Sequence, residues 1–502
     1  MTRASLVATA VLCLVSAERL SGQDHSHISA AEKLGIVHFA TSCNPRVTQQ
    51  FNRAVALLHS FEFGASIKGF NDVLTADSTC AMAYWGIALS RWSNPMAPGN
   101  KSPVLLRQGS DAAANAMRLA GGVTERERGY ITAVNKLYED FEQKDQPSRV
   151  SAYERAMNDL VVAQPADTEA MIFHAISLTA SASPADKRYA NQLKAGEILE
   201  KLWVEQPNHP GIAHYIIHTY DYPTLAGKAR AAARRYSSIA PSAAHALHMP
   251  SHTFTRVGMW TESVNANGQS MKVALSTGSI AEALHAADYA MYANLQLGRE
   301  SAAKRILEEL PALAARFDPS VVTGAAPPSA GVFAIAAIPA RWTLERNAWA
   351  EAAALEPRST AYPYADAMTW FARSLGASRT GDVAKARTAI DSLASIQRRL
   401  SEKGELYWAE QVAIQNLEAE AWLDLAERRV NPALMRMHEA VKREDATEKS
   451  AVTPGPLAPA RELLGDMLVE LKRPAEAKAE YRAVLKKEPN RRRALRRSLA
   501  AG

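Results

Sequence analysis

Six of the chain's 13 histidines fall between residues 214 and 285. In "AHYIIHTYDYP" and "HALHMPSHTF", His214 and His248 stand 34 residues apart, as do His218 and His252. His245 and His285 complete the set, with Asp221 and Asp288 close by in sequence. Two imidazoles one helical turn apart share a helix face, with Cβ atoms about 5–6 Å apart. Such a pair can bind one transition metal, and a ligand from the next helix completes the site. Asp221 and Asp288 are either further ligands or acceptors that fix the imidazole tautomers. Mixed nitrogen and oxygen donors suit zinc, copper, iron or nickel, and nothing in the ligand set selects among them. Met249, Met259 and Met291 favour copper if they face inward. The competing chemistry is plain hydrogen bonding from uncharged imidazoles to a peptide or polar organic ligand. Outside this set, His59, His174 and His438 are expected to be satisfied polar residues, and His209, before Pro210, a helix cap. His25 and His27 belong to the N-terminal tail.

An interval of 34 residues is the length of a helix–turn–helix repeat. The best-formed copy is "APARELLGDMLVELKRPAEAKAEYRAVLKKEPN", residues 458–490. Leu464-Gly465 supplies its small-residue helix crossing, and Ala477, Tyr481, Val484 and Pro489 mark the second helix and its stop. This copy resembles the tetratricopeptide repeat (TPR) family. Weaker copies surround Gly258, Gly298 and the segments 51–79, 333–355 and 368–393. Throughout them apolar residues recur at i, i+3, i+4 and i+7, with almost no strand-like alternation.

The resemblance implies an all-α fold, a right-handed superhelical solenoid of TPR-like helix pairs with nearest-neighbour cores. It also implies that positions 2, 5, 9 and 12 of each first helix face a concave ligand groove. Registered on the C-terminal copy, His245 and His285 share position 2, and His214, His248 and Asp288 share position 5. His218, His252, Tyr292 and Arg341 share position 9, and Asp221 takes position 12. Tyr292 and Arg341 are therefore expected to line the groove beside the histidines. Pro250 and Pro339, each at a seventh position, should bend their helices, because proline frees the carbonyl four residues back.

Composition narrows the classes further. The chain has 502 residues, 47% of them hydrophobic, and a formal net charge of +6. The basic runs "KARAAARRY" (228–236) and "RRRALRR" (491–497) lack interleaved aromatics. They are expected to be solvated helix faces, and no nucleic-acid partner is expected. HExxH, GxSxG, P-loop and strand–helix GxGxxG patterns are all missing.

Residues 1–23 have the layout of a secretory signal peptide, an arginine and a short apolar run ending in small residues. They imply a periplasmic or extracellular protein with no transmembrane span. Leu12 before Cys13 suits a lipoprotein signal poorly. Two cysteines then remain, Cys43 and Cys80, and in an oxidising compartment they most simply form a disulfide, two free thiols being the alternative. Beyond the signal, three regions are expected: an N-terminal solenoid with the histidine groove (30–320), middle helices (329–450) and a C-terminal repeat (456–495). The functional expectation is an exported binding or scaffold protein with a metal in its groove and a protein or peptide partner. A metal-dependent oxidoreductase or hydrolase, and a metal-free peptide-binding adaptor, remain as alternatives.

Overall fold

The computed structural model describes residues 32–96, 101–321 and 323–500. The expected signal peptide, Cys13, His25 and His27 lie outside them. Helices account for every regular element among the described residues, from Thr48–His59 to Arg492–Ala500. The fold is an all-α solenoid of antiparallel helix pairs, each packed on the next. None of its helices is long and apolar enough to cross a membrane.

Local sequence explains where the helices start, stop and touch. Thr124 and Glu127 form a reciprocal capping box at the start of Glu125–Lys136, satisfying end groups that have no intrahelical partner. Ile280–Leu297 stops at Gly298, which adopts φ +69°, a conformation open to glycine at little cost. In the C-terminal repeat, a Cβ on Gly465 would lie 2.6 Å from the Tyr481 ring, so only glycine permits the crossing. At Pro250 the regular helical bonding breaks between Ala244–His248 and Pro250–Arg256, although Met249 between them keeps helical dihedrals. Pro339 is carried inside the continuous helix Pro328–Glu345.

Cys43 and Cys80 form a disulfide across 37 residues. A loop of that length is stabilised by about 4 kcal/mol in the chain-entropy account.

Two large cores run along the solenoid. One spans Leu34 to Phe254 and the other Ala281 to Ala494, and the histidine-bearing helices lie where they meet. The described residues from Lys33 onward form one compact unit.

Contacts between distant repeats explain this. Trp260 Nε1 donates to Asn490 O at 2.9 Å, 230 residues away. Arg491, fully buried, donates to Glu462, Glu345 and the Tyr292 hydroxyl. Arg493 is also buried and pairs with Asp466. The basic run at 491–497 is therefore partly an internal ion-pair hub rather than a wholly solvated face. Cores in this chain are not confined to nearest neighbours.

The irregular segment 447–459, between Val430–Ala446 and Ala460–Glu470, acts as a strap across the first helices. Tyr289 donates its hydroxyl to Ala451 O and Thr453 O, both at 3.1 Å. Lys449 pairs with Asp221 at 3.3 Å.

Behind the strap, Glu418 and Glu444 form a buried acidic pair. Burial pushes both carboxyls up, and Glu444 raises Glu418 further. Their folded state thus holds protons that the unfolded chain releases above about pH 4.3. This stability is fully present below that pH and is lost as pH rises through the folded pKa values. Glu418→Gln is expected to raise stability at pH 8 by about 1–3 kcal/mol, the cost of holding a buried carboxyl protonated while the unfolded chain releases its proton, and to change little at pH 4. Urea unfolding at the two pH values reads the difference.

Candidate metal centre

Six imidazoles converge between the two cores, and all are buried: His285 is the most exposed at 6% and His214 and His248 are at 0%. Neighbouring ring centroids are 4.7 Å apart for His214–His218, 5.0 Å for His248–His252 and 4.4 Å for His248–His285. The 34-residue register therefore does bring these rings together, from Pro210–Thr219, the interrupted pair at Pro250, and Ile280–Leu297.

His248 and His252 define the chemistry. Asn267 Nδ2 donates to Ser263 O at 2.7 Å, and a carbonyl can only accept, so the amide orientation is fixed. Asn267 Oδ1 is thereby turned to His248 Nδ1, 2.7 Å away, and Nδ1 must carry the proton. His252 Nδ1 donates to Asp221 Oδ2 at 3.0 Å. Burial pushes the Asp221 carboxyl up, but Lys449 and Arg256 outweigh it and hold the group well below its usual range, so it accepts as a carboxylate. Both rings thus present bare Nε2 lone pairs, and these face each other at 3.1 Å. Burial drags His248 well below its ordinary pKa and His252 down to about 4. Neutral imidazoles with opposed lone pairs repel unless a cation lies between them. At metal–nitrogen distances of 2.0–2.1 Å, two nitrogens on one tetrahedral ion stand about 3.3 Å apart, close to this spacing.

One ring nitrogen each from His248, His252 and His285 lies within 4.8 Å of the others, and the same holds for His214, His218 and His245. A small cavity of about 20 Å³ opens on His218, His245, His252 and His285, with Met249 in its wall. That is room for about one water molecule. Ala451 and Val452 of the strap contribute to its wall.

Several expectations are corrected here. Asp288 is not a ligand: both its oxygens accept from Arg341, at 2.7 and 3.4 Å, and both side chains are fully buried. Arg341 also reaches Thr453, Gly455 and Pro456, so it anchors the strap instead of lining an open groove. Tyr292 is likewise buried, 1% exposed, between Glu488 and Arg491. The expected concave groove is filled by the strap and the returning C-terminus. Asp221 takes the second of its two expected roles, as the acceptor that sets the His252 tautomer.

His209 stands at the N-cap of Pro210–Thr219, but its side chain makes no capping bond. Its Nε2 and that of His59 both meet Glu169, each at 3.0 Å, in a separate buried cluster. His59 carries more than a satisfied side chain, because its carbonyl accepts from His214 Nδ1 at 2.6 Å. A Cβ on Gly211 would lie 2.4 Å from the His59 ring, and the bare glycine is what lets these helices approach. Asn267 and Glu169 were not foreseen, since neither stands at a histidine-register position.

Asn267→Ala is expected to weaken metal binding about 10–100-fold, the usual cost of removing a residue that orients a ligand imidazole. Competition titration against a chelator of known affinity measures it.

No protein-family model and no curated protein sequence matches the chain. Among solved structures, a monomeric mutant of IFIT1 with Gppp-AAAA is similar at 12% identity and a TM-score of 0.39, covering 92% of this chain and 95% of that one. The APC/C hetero-tetramer Cut9–Hcn1 follows at 13% identity and 0.36, covering 91% and 76%. The human IFIT1 dimer with m7Gppp-AAAA stands at 12% and 0.38, covering 84% and 89%. Likeness of this degree carries no argument about ligands or partners.

Proposed function

We propose that this chain is an exported TPR-like helical-repeat protein that holds a transition metal in its buried histidine centre. The observation that carries the proposal is the pair of opposed Nε2 lone pairs on His248 and His252, each tautomer set by its own acceptor. Export is supported by the signal-like segment 1–23 and by the Cys43–Cys80 disulfide. The cavity's size, about one water, supports storage, delivery or display of the metal over conversion of an organic substrate beside it.

The test is elemental analysis of untagged protein, exported to an oxidising compartment and purified without chelators. At least stoichiometric transition metal is expected. Protein free of metal that also takes none up on dialysis would overturn the proposal and leave a metal-free helical adaptor.

A further inference from the structure

Two rings suffice for the metal argued above, and four buried imidazoles are then left over. His214 Nδ1 donates to the His59 carbonyl at 2.6 Å, so its Nε2 is a bare lone pair. His245 Nδ1 donates to Glu282 Oε1 at 3.1 Å, while Glu282 Oε2 accepts from Ala326 N at 2.8 Å. His245 Nε2 is bare in turn. The Nε2 atoms of His214, His218 and His245 are all buried without a hydrogen-bond partner, and so is His285 Nδ1. Buried polar atoms are nearly always paired, so a cluster of four unpaired nitrogens points to something they bind.

The six histidines sort into two trios, and in each trio one ring nitrogen per residue lies within 4.8 Å of the others. The trios are neighbours: ring centroids are 6.0 Å apart for His245–His248 and 6.2 Å for His218–His252. Both trios open on the one small cavity.

We propose that His214, His218 and His245 form one three-nitrogen compartment and His248, His252 and His285 a second, each holding one copper(I) ion. This rests on the metal-binding function proposed above and adds the number and kind of ion. Charge selects the ion. All six ligands are neutral, and no carboxylate among the described residues bridges the trios. Asp221 is already offset by Arg256 and Lys449, which leaves the adjacent carboxyls Glu62 and Glu282, both bonded to His245, as the acidic neighbours without a cation. Coulomb repulsion scales with the product of charges, so two divalent ions at this separation repel roughly four times as strongly as two monovalent ones. The Met249 thioether in the cavity wall is a soft donor of the kind that favours copper(I). Three histidines also suit zinc(II) with a water in the fourth position, so the preference for copper(I) rests on charge and on the Met249 thioether. Between the two ions the cavity leaves room for one water-sized ligand.

The experiment uses the untagged, disulfide-bonded full chain stripped of metal. It is titrated without oxygen with copper(I) against a chromophoric copper(I) chelator, and separately with zinc(II). Two equivalents of copper(I) are expected, bound more tightly than zinc(II). His214→Ala and His285→Ala should each retain one equivalent, with circular dichroism reporting their fold. The wild-type stoichiometry decides the matter even if neither variant folds. A single equivalent, or zinc(II) bound as tightly as copper(I), would overturn the two-copper assignment and leave the simpler metal-binding proposal standing. No uptake of either ion would overturn both.

Discussion

Arg341→Met lowers the stability of the protein by about 3–5 kcal/mol, the cost of leaving one member of a buried ion pair alone. Arg341 and Asp288 are both fully buried, so neither side chain is open to bulk solvent. Removing it also strands Thr453, Gly455 and Pro456, which hold the strap in place. Burial already pushes the Asp288 carboxyl up despite Arg341, and without Arg341 it rises further. The unfolded chain keeps Asp288 near its ordinary value of about 3.9. The variant's deficit is therefore largest at neutral pH and shrinks below about pH 4, where Asp288 is protonated in both states. Arg341→Met combined with Asp288→Asn should recover part of the loss, because no charge then remains buried. Urea unfolding of the three proteins tests this, and equal losses in the single and double variants would contradict it. Since Ala451 and Val452 of the strap line the cavity, the single variant should also release metal faster.

The second large effect is at the centre itself. His252→Ala is expected to weaken metal binding by more than about 100-fold, above the range seen when only an orienting neighbour is lost. The same substitution removes one of two opposed lone pairs, so the metal-free variant should be no less stable than the metal-free wild type, apart from the packing lost with the ring. Metal at about 1,000 times its dissociation constant stabilises a folded protein by about 4 kcal/mol. The wild type should show a corresponding rise in unfolding midpoint on adding metal, and His252→Ala should not. A midpoint that rises equally in both would place the metal elsewhere.

Much of this geometry is legible in the sequence because repeats convert spacing into position. The 34-residue interval aligns His214 with His248 and His218 with His252, and those rings do meet. The turns at Gly258 and Gly298 and the break at Pro250 follow from backbone chemistry that single residues announce. The same register placed Asp288, Tyr292 and Arg341 on the inner face, but it could not tell an open groove from a filled one. What fills it is the strap 447–459 and the returning arginines 491 and 493, more than 100 residues from Arg341 and Tyr292. No local pattern encodes such a return. The residues that fix tautomers were hidden for a related reason. Asn267, Glu282 and the His59 carbonyl come from three different helices, and their roles depend on side-chain direction rather than on residue type.

One measurement bears most directly on the central claim that a metal ion lies between His248 and His252. Crystals of untagged protein soaked in or grown with copper, with diffraction collected on both sides of the metal's absorption edge, locate it without reference to any functional assay. An anomalous peak about 2.0–2.2 Å from both Nε2 atoms is the predicted result. Nitrogens still 3.1 Å apart with no peak between them, sharing a proton instead, would contradict it.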